Sequence, residues 1–269
     1  MIDSILDNDL YKFTMQQAVV ELYPNAQASY EFINRHPADR FNGEFLAELT
    51  RSLGEMPALR LDPPQREFLQ QQCPYLKPAY LDYLAEYRFD PGEVALRLDA
   101  QGGLSISVRG PWQRTILWEV PLLAMVSELY GRLVDTNWTE EGQAERIRAK
   151  SEVLRRAGCR FADFGTRRRR SRAVQDLIVG RLRDNPGFLG TSNVQLALRH
   201  DVPPIGTMAH EWIMAHSVLA GLRHANGAAL DAWYGVYRGQ LGIALTDTYT
   251  TGVFLRDFDS HCASLYDCS

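Results

Sequence analysis

From about residue 161 onward the chain repeats one short pattern four times, and this repetition limits its possible folds more than any other feature. The segments Phe161-Ala-Asp-Phe-Gly-Thr166, Phe188-Leu-Gly-Thr-Ser-Asn193, Pro204-Ile-Gly-Thr-Met208 and Gly242-Ile-Ala-Leu-Thr-Asp247 each run from extended apolar or small residues into polar ones. Helical patterns at 171–184, 194–200 and 209–225 separate them. Strand, polar end and helix, repeated, is the pattern of βα units on a parallel sheet. Three of the four segments carry an apolar–Gly–Thr element where the strand ends. That C-terminal edge is where α/β folds bind ligands. Glycine there allows close approach to the backbone, and threonine adds a hydroxyl beside a free N–H.

The preceding part of the chain mixes both periodicities. Residues 7–22 read as a helix that Asp7 can cap, with an uneven apolar face, and 28–33 alternate as a strand around Tyr30 and Phe32. From 41 to 87 the pattern is helical but broken by Pro57, Pro63, Pro64, Pro74 and Pro78. Residues 94–98 and 104–108 alternate on either side of Asp99-Ala-Gln-Gly-Gly103, the signature of a hairpin. An apolar helix is expected at 112–130 and a charged one at 141–157. The fold class is therefore α/β.

Composition removes several functions. The chain has 29 Lys+Arg against 33 Asp+Glu, a net charge of −4, so no global basic field favours coating of nucleic acid. Cys73, Cys159, Cys262 and Cys268 form no C-x-x-C pair, which argues against a disulfide framework and a thiolate zinc site. No apolar run approaches the ~18 residues of a membrane span, and Asp3 and Asp7 stand where an export signal needs basic residues. A cytoplasmic protein without membrane partners is expected. Phosphate-loop, dinucleotide and nucleophile-elbow motifs are all missing.

Four sets of residues are candidates for chemistry. Arg167 to Arg170 with Arg172 places five guanidiniums in six positions directly after a Gly-Thr strand end. They suit a phosphate or diphosphate, whose oxygen pairs match guanidinium forks. The alternatives are a solvated charge run and an RNA patch. The run lacks the interleaved aromatics of single-strand binders, which ranks the RNA-binding module last. One or two arginines are expected in the site and the rest in surface pairs. His210-Glu211-Trp212 fails as a zinc motif because Met214 occupies i+4 and His216 stands at i+6. His210 is left as a nucleophile or general base at a helix start, or as a packed core histidine. Asp247 either approaches a sugar hydroxyl or metal-bound phosphate, or caps a helix at 250–258. Tyr11 and Phe13 either stack on a planar ring or pack in the core.

The pieces Asp9-Leu-Tyr-Lys-Phe-Thr-Met15, Trp118-Glu-Val-Pro-Leu122, Asp163-Phe-Gly-Thr-Arg-Arg168, Gly190-Thr-Ser-Asn193, Gly206-Thr-Met-Ala-His-Glu-Trp212 and Ala244-Leu-Thr-Asp-Thr248, taken in order, resemble the nicotinate phosphoribosyltransferases, a type II phosphoribosyltransferase family. The resemblance implies an N-terminal α/β domain with connecting helices at 1–130, and at 131–269 the first part of a β/α barrel. It implies ATP-coupled joining of nicotinate and phosphoribosyl pyrophosphate, giving nicotinate mononucleotide for NAD salvage. ATP and Mg would serve as co-substrate and ion, with no tightly bound cofactor and no protein metal site. A homodimer with shared sites is implied. Tyr11 would reach the partner's site and stack on the pyridine ring, with Phe164 on its other face. Arg167 would meet the phosphoribosyl pyrophosphate, and Ser192 and Thr207 would lie near the nicotinate carboxylate and sugar phosphate. His210 would be the histidine that ATP phosphorylates, and Asp247 would approach the ribose hydroxyls. The family pattern continues into Arg-His-Asp-Ser-Gly-Asp-Pro and a glycine-rich phosphate loop, whereas this sequence reads Tyr266-Asp-Cys-Ser269. A chain truncated at its C-terminus and inactive alone is therefore expected, with a non-catalytic remnant or a partner of a full-length paralogue as the alternative.

Overall fold

Helix α1 (Leu10–Leu22) is buried from Leu10 to Val19 on every side, polar residues included. This explains why the sequence shows only an uneven apolar face. A helix buried all round needs partners for its polar groups. Gln16 donates to the Gln113 carbonyl (2.7 Å) and accepts from the Tyr80 hydroxyl (2.7 Å). Gln17 donates to the Tyr75 carbonyl (3.0 Å) and accepts from the Lys77 N–H (2.6 Å). The helix starts three residues later than the sequence suggests, because Asp7 does not cap it. That carboxylate is paired with Arg169 instead.

The computed structural model describes residues 1–36 and 38–268. Ser269, the last residue of the stretch that leaves the family pattern, lies outside them. Around α1 the N-terminal part adds β1 (Gln27–Glu31), α2 (Gly43–Glu55), α3 (Pro63–Gln72), α4 (Pro78–Glu86), β2 (Val94–Leu98) and β3 (Leu104–Pro111). The three strands form an antiparallel sheet in the order β1-β3-β2, with Val94 opposite Val108 and Leu98 opposite Leu104. Leu104, Ile106 and Val108 of β3 point into the core. Pro57, Pro63, Pro64 and Pro78 stand in the first turns of helical segments, whereas Pro74 lies in the turn after α3; Asp62 and Gln65 form a reciprocal capping box around Pro63 and Pro64.

The expected helix at 112–130 is two helices, α5 (Trp112–Thr115) and α6 (Glu119–Leu133). Pro121 is the cause. Inside one continuous helix its ring would strike the carbonyl four residues earlier, whereas in the first turn of α6 its missing N–H is harmless. The charged helix follows as α7 (Gln143–Arg156).

The repeated units are present as parallel pairings. β4 (Phe161–Asp163) pairs with β5 (Phe188–Thr191), and Pro204 of the third unit bridges in parallel to Thr191. The fourth segment forms β6 (Ile243–Ala244), parallel to β7 (Asp267–Cys268). Helices α8 (Arg172–Leu182) and α9 (Val194–His200) follow the first two units, capped by Ser171 and Asn193. The stretch 209–225 is not one helix. α10 (His210–His216) passes into a wide turn, Ser217–Gly221, where Gly221 takes φ 87°, and α11 (Ala225–Tyr237) then begins. Two short helices, α12 (Thr251–Asp257) and α13 (Ser260–Leu265), complete the order. One hydrophobic cluster runs from Ile5 to Tyr266, through both halves of the chain. No helix among the described residues is long and apolar enough to cross a membrane.

The glycines of the Gly-Thr elements serve the chain's own packing. Gly190 has φ 138°, and a Cβ there would lie 2.0 Å from the Pro203 carbonyl oxygen of the adjoining unit. Gly190→Ala should lower stability by about 2 kcal/mol or more, because strain and a backbone clash act together. Gly227, in α11 with nothing within 4 Å, is the control. Gly227→Ala should leave stability unchanged or raise it by up to ~1 kcal/mol. Urea midpoints of the two variants check the contrast, and a Gly190→Ala protein as stable as the parent would refute it.

Candidate active site

The strand ends are joined sideways by their own polar residues. Thr191 Oγ1 donates to Asp163 Oδ2 at 2.7 Å, and Gln175 donates to the same oxygen at 2.9 Å. The Ser192 N–H donates to the Asp163 carbonyl at 2.8 Å. Thr166 Oγ1 accepts from Gln175 and Asn193, and Thr207 Oγ1 donates to the Ile243 carbonyl at 3.3 Å. Each Gly-Thr threonine thus ties its own unit to others, which adjusts the expectation that these hydroxyls stand free for a ligand.

The segment before α1 lies across this edge. Asp9 bridges antiparallel to Asn193, and the Leu10 N–H donates to the Ser192 carbonyl at 2.7 Å. Asp9 is 2% exposed and takes hydrogen bonds from Ser192 Oγ (2.8 Å) and the Tyr11 hydroxyl (3.0 Å). Burial raises its pKa from the ordinary carboxylate value, against the lowering effect of its hydroxyl donors. Ser192 is therefore fully buried with its hydroxyl committed to Asp9. The Tyr11 ring lies inside its own chain, 7% exposed, and Gly206 packs against the Tyr11 backbone. Phe164, by contrast, is 55% exposed.

The arginine run divides differently from expectation. Arg167 donates to Glu119 at 2.6 Å, with 40% of its side chain exposed. Arg169 is not on the surface: it forks onto both oxygens of buried Asp7, at 2.7 and 2.8 Å. Such a bidentate pair fixes direction as well as charge. Arg170 pairs with Asp135 and lies over the Trp138 ring, and Arg172 pairs with Asp3. Only Arg168 is exposed. Most of the run ties the N-terminal segment and α6 to the strand–helix units, so it is not the continuous basic face that an RNA patch requires.

Arg167 opens a chain of charges, centred on buried Lys12, that the sequence reading did not find. Glu119 Oε1 holds Arg167, and its Oε2 contacts Lys12 Nζ. Lys12, fully buried, also meets Glu211 Oε2 at 2.5 Å. Glu211 Oε1 accepts from the Tyr30 hydroxyl (2.5 Å) and Trp112 Nε1 (2.8 Å). Burial alone would raise the Glu119 pKa, but Lys12 and Arg167 outweigh it and hold the carboxyl at about 2. Burial would likewise neutralise Lys12, yet Glu211 and Glu119 raise its pKa above the ordinary value. Lys12, Glu119, Arg167 and Glu211 each stand in one of the family-like pieces, but nothing in the sequence pairs them with one another. A lysine between Tyr11 and Phe13 gives no hint that it lies in the core.

Glu211 follows His210, which is half-exposed at the start of α10. Its Nδ1 lies 3.0 Å from Thr248 Oγ1, and its Nε2 lies 3.8 Å from Asp247 Oδ1. His210 is thus not a packed core histidine; His216, 1% exposed, has that place. Asp247 does not cap the following helix either, because Thr250 does so through a bond from the Val253 N–H at 3.2 Å. The ends of the third and fourth units therefore bring His210, Asp247 and Thr248 together, with Thr207 beside Ile243. Tyr11 and Ser192 meet separately at Asp9. Among the described residues no group of three or more His, Cys, Asp or Glu is placed to hold a metal ion.

The chain as a whole is similar to known proteins. Residues 6–127 match the nicotinate phosphoribosyltransferase N-terminal domain and residues 159–268 the nicotinate phosphoribosyltransferase family. A nicotinate phosphoribosyltransferase of Methanosarcina mazei is 45% identical over 99% of this chain and 70% of its own length. One of Chromohalobacter salexigens is 47% identical over 99% and 69%. The crystal structure of nicotinate phosphoribosyltransferase from Porphyromonas gingivalis superposes with a TM-score of 0.95 at 42% identity, over 99% of this chain and 69% of that one. Sequence likeness along both halves and a shared backbone agree: the chain belongs to the nicotinate phosphoribosyltransferase family, a family of enzymes.

Proposed function

We propose that this protein transfers phosphoribosyl from phosphoribosyl pyrophosphate to nicotinate, releasing diphosphate and forming nicotinate mononucleotide for NAD salvage, with ATP hydrolysis coupled through His210. The observation that carries the reading is the placement of His210: half-exposed, with Nδ1 at Thr248 and Nε2 3.8 Å from Asp247 Oδ1. A proton on Nδ1 donated to Thr248 leaves the Nε2 lone pair for attack on the terminal phosphorus of ATP. A nitrogen–phosphorus bond forms there as the bond to the ADP oxygen breaks. Magnesium enters with the phosphates of its substrates. Arg167, oriented by Glu119 and still partly exposed, is suited to the diphosphate, whose charge grows as its bond to the ribose breaks. The nicotinate ring nitrogen takes its place at that ribose carbon. Asp247 is placed to accept from sugar hydroxyls. A homodimer with shared sites belongs to the same reading, and the exposed Phe164 ring supplies an apolar face for nicotinate or a partner subunit.

Incubation with terminally labelled ATP should yield acid-labile, base-stable label on the parent protein and none on His210→Ala. Label that persists in the variant, or maps to His200 or His216, would refute the assignment. Turnover of nicotinate by residues 1–269 alone measures directly whether this length of chain suffices.

The arginines give a second test. Arg167→Ala should weaken binding of phosphoribosyl pyrophosphate at least about tenfold, ~1.4 kcal/mol, whereas Arg168→Ala, its exposed neighbour, should stay within about twofold. Calorimetric titration of the two variants decides it. Equal affinities would place the diphosphate away from Arg167.

A further inference from the structure

We propose that Lys12 is a positioning residue that sets Arg167 and His210 jointly, through Glu119 and Glu211. This deepens the function above, because it takes Arg167 and His210 as the two working groups. The Lys12 ammonium contacts one oxygen of each glutamate. The other oxygen of Glu119 holds Arg167, and the other oxygen of Glu211 is fixed by Tyr30 and Trp112. Two cations and two carboxylates alternate, so the four charges balance. With Lys12 removed, two carboxylates would face each other with little water to screen them, and both would shift.

The geometry makes this one device instead of two unrelated pairs. Glu119 is the first residue of α6 and orients an arginine from the loop after β4. Glu211 is the chain neighbour of His210 in the first turn of α10. Neither glutamate reaches the other group's element except through Lys12. A second tie from the same helix supports the assignment, since Thr14 Oγ1 donates at 2.5 Å to the carbonyl of Thr207, three residues before His210. Helix α1 therefore fixes the histidine-bearing turn at two points. Lys12 touches no open surface, so its effect acts through the glutamates.

The test is NMR of the full chain with labelled histidine, following the ring signal of His210 assigned with His210→Gln. Glu119→Gln, at a residue that does not touch His210, should shift that signal. The shift should vanish when Glu119→Gln is made in a Lys12→Met background, and Lys12→Arg should preserve both the parent signal and its response. In the labelled-ATP assay, Lys12→Met should slow phosphohistidine formation about tenfold with half-saturation by ATP within about twofold, and Lys12→Arg should restore the rate. Should Lys12→Met fail to fold, as circular dichroism would reveal, Glu119→Gln in the parent and Lys12→Arg backgrounds still decides. A His210 signal indifferent to Glu119→Gln while Lys12 is present would overturn the proposal. A parent protein that takes no label would overturn the proposed function and leave the NMR result to judge the positioning.

Discussion

A lysine ammonium buried between two glutamates is the constraint around which the rest of this protein is arranged. Taking one charge out of water costs several kcal/mol, and only close, well-oriented counter-charges offset it. Lys12 has them in Glu119 and Glu211. Those partners come from α6 and α10, more than a hundred residues along the chain. The pairing therefore forms only when α1, α6 and α10 have all assembled. Glu211 extends the requirement to Tyr30 of β1 and Trp112 of α5. Apolar packing alone would hold these elements together without choosing their rotation. The charges choose it, because a helix turned by one residue would leave an ammonium unpaired in the core.

The Asp7–Arg169 fork does similar work for the segment ahead of α1. It anchors that segment across the strand ends, where Asp9, Leu10 and Asn8 complete a second set of hydrogen bonds with residues 192–194. The edge formed by the strand ends is thus partly roofed by the segment ahead of α1. This is why Ser192 and Tyr11 are buried while Arg167, His210, Asp247 and Phe164 keep open surface.

The Gly-Thr repeat shows how a correct pattern can carry a different cause. It marked the strand ends and their order, but its glycines admit the backbones of Pro203 and Tyr11, and its threonines bond to neighbouring units. At these strand ends the motif serves the rigidity of the edge itself. Here the rigid edge is what gives His210 and Asp247 a fixed separation.

Strand alternation, proline positions and the recurring units determine the element types, because periodicity and backbone restriction act within a few residues. They also mark His210, Arg167 and Asp247 as polar residues at strand ends. The breaks near Pro121 and at Gly221 are local effects too, although the periodicity runs one helix through each of 112–130 and 209–225. Which arginine turns inward, that Asp7 pairs instead of capping, and that Lys12 joins two glutamates were decided only by tertiary structure. Each depends on a partner distant in sequence and on the loss of water around it, and neither distance in space nor desolvation is written in the order of residues.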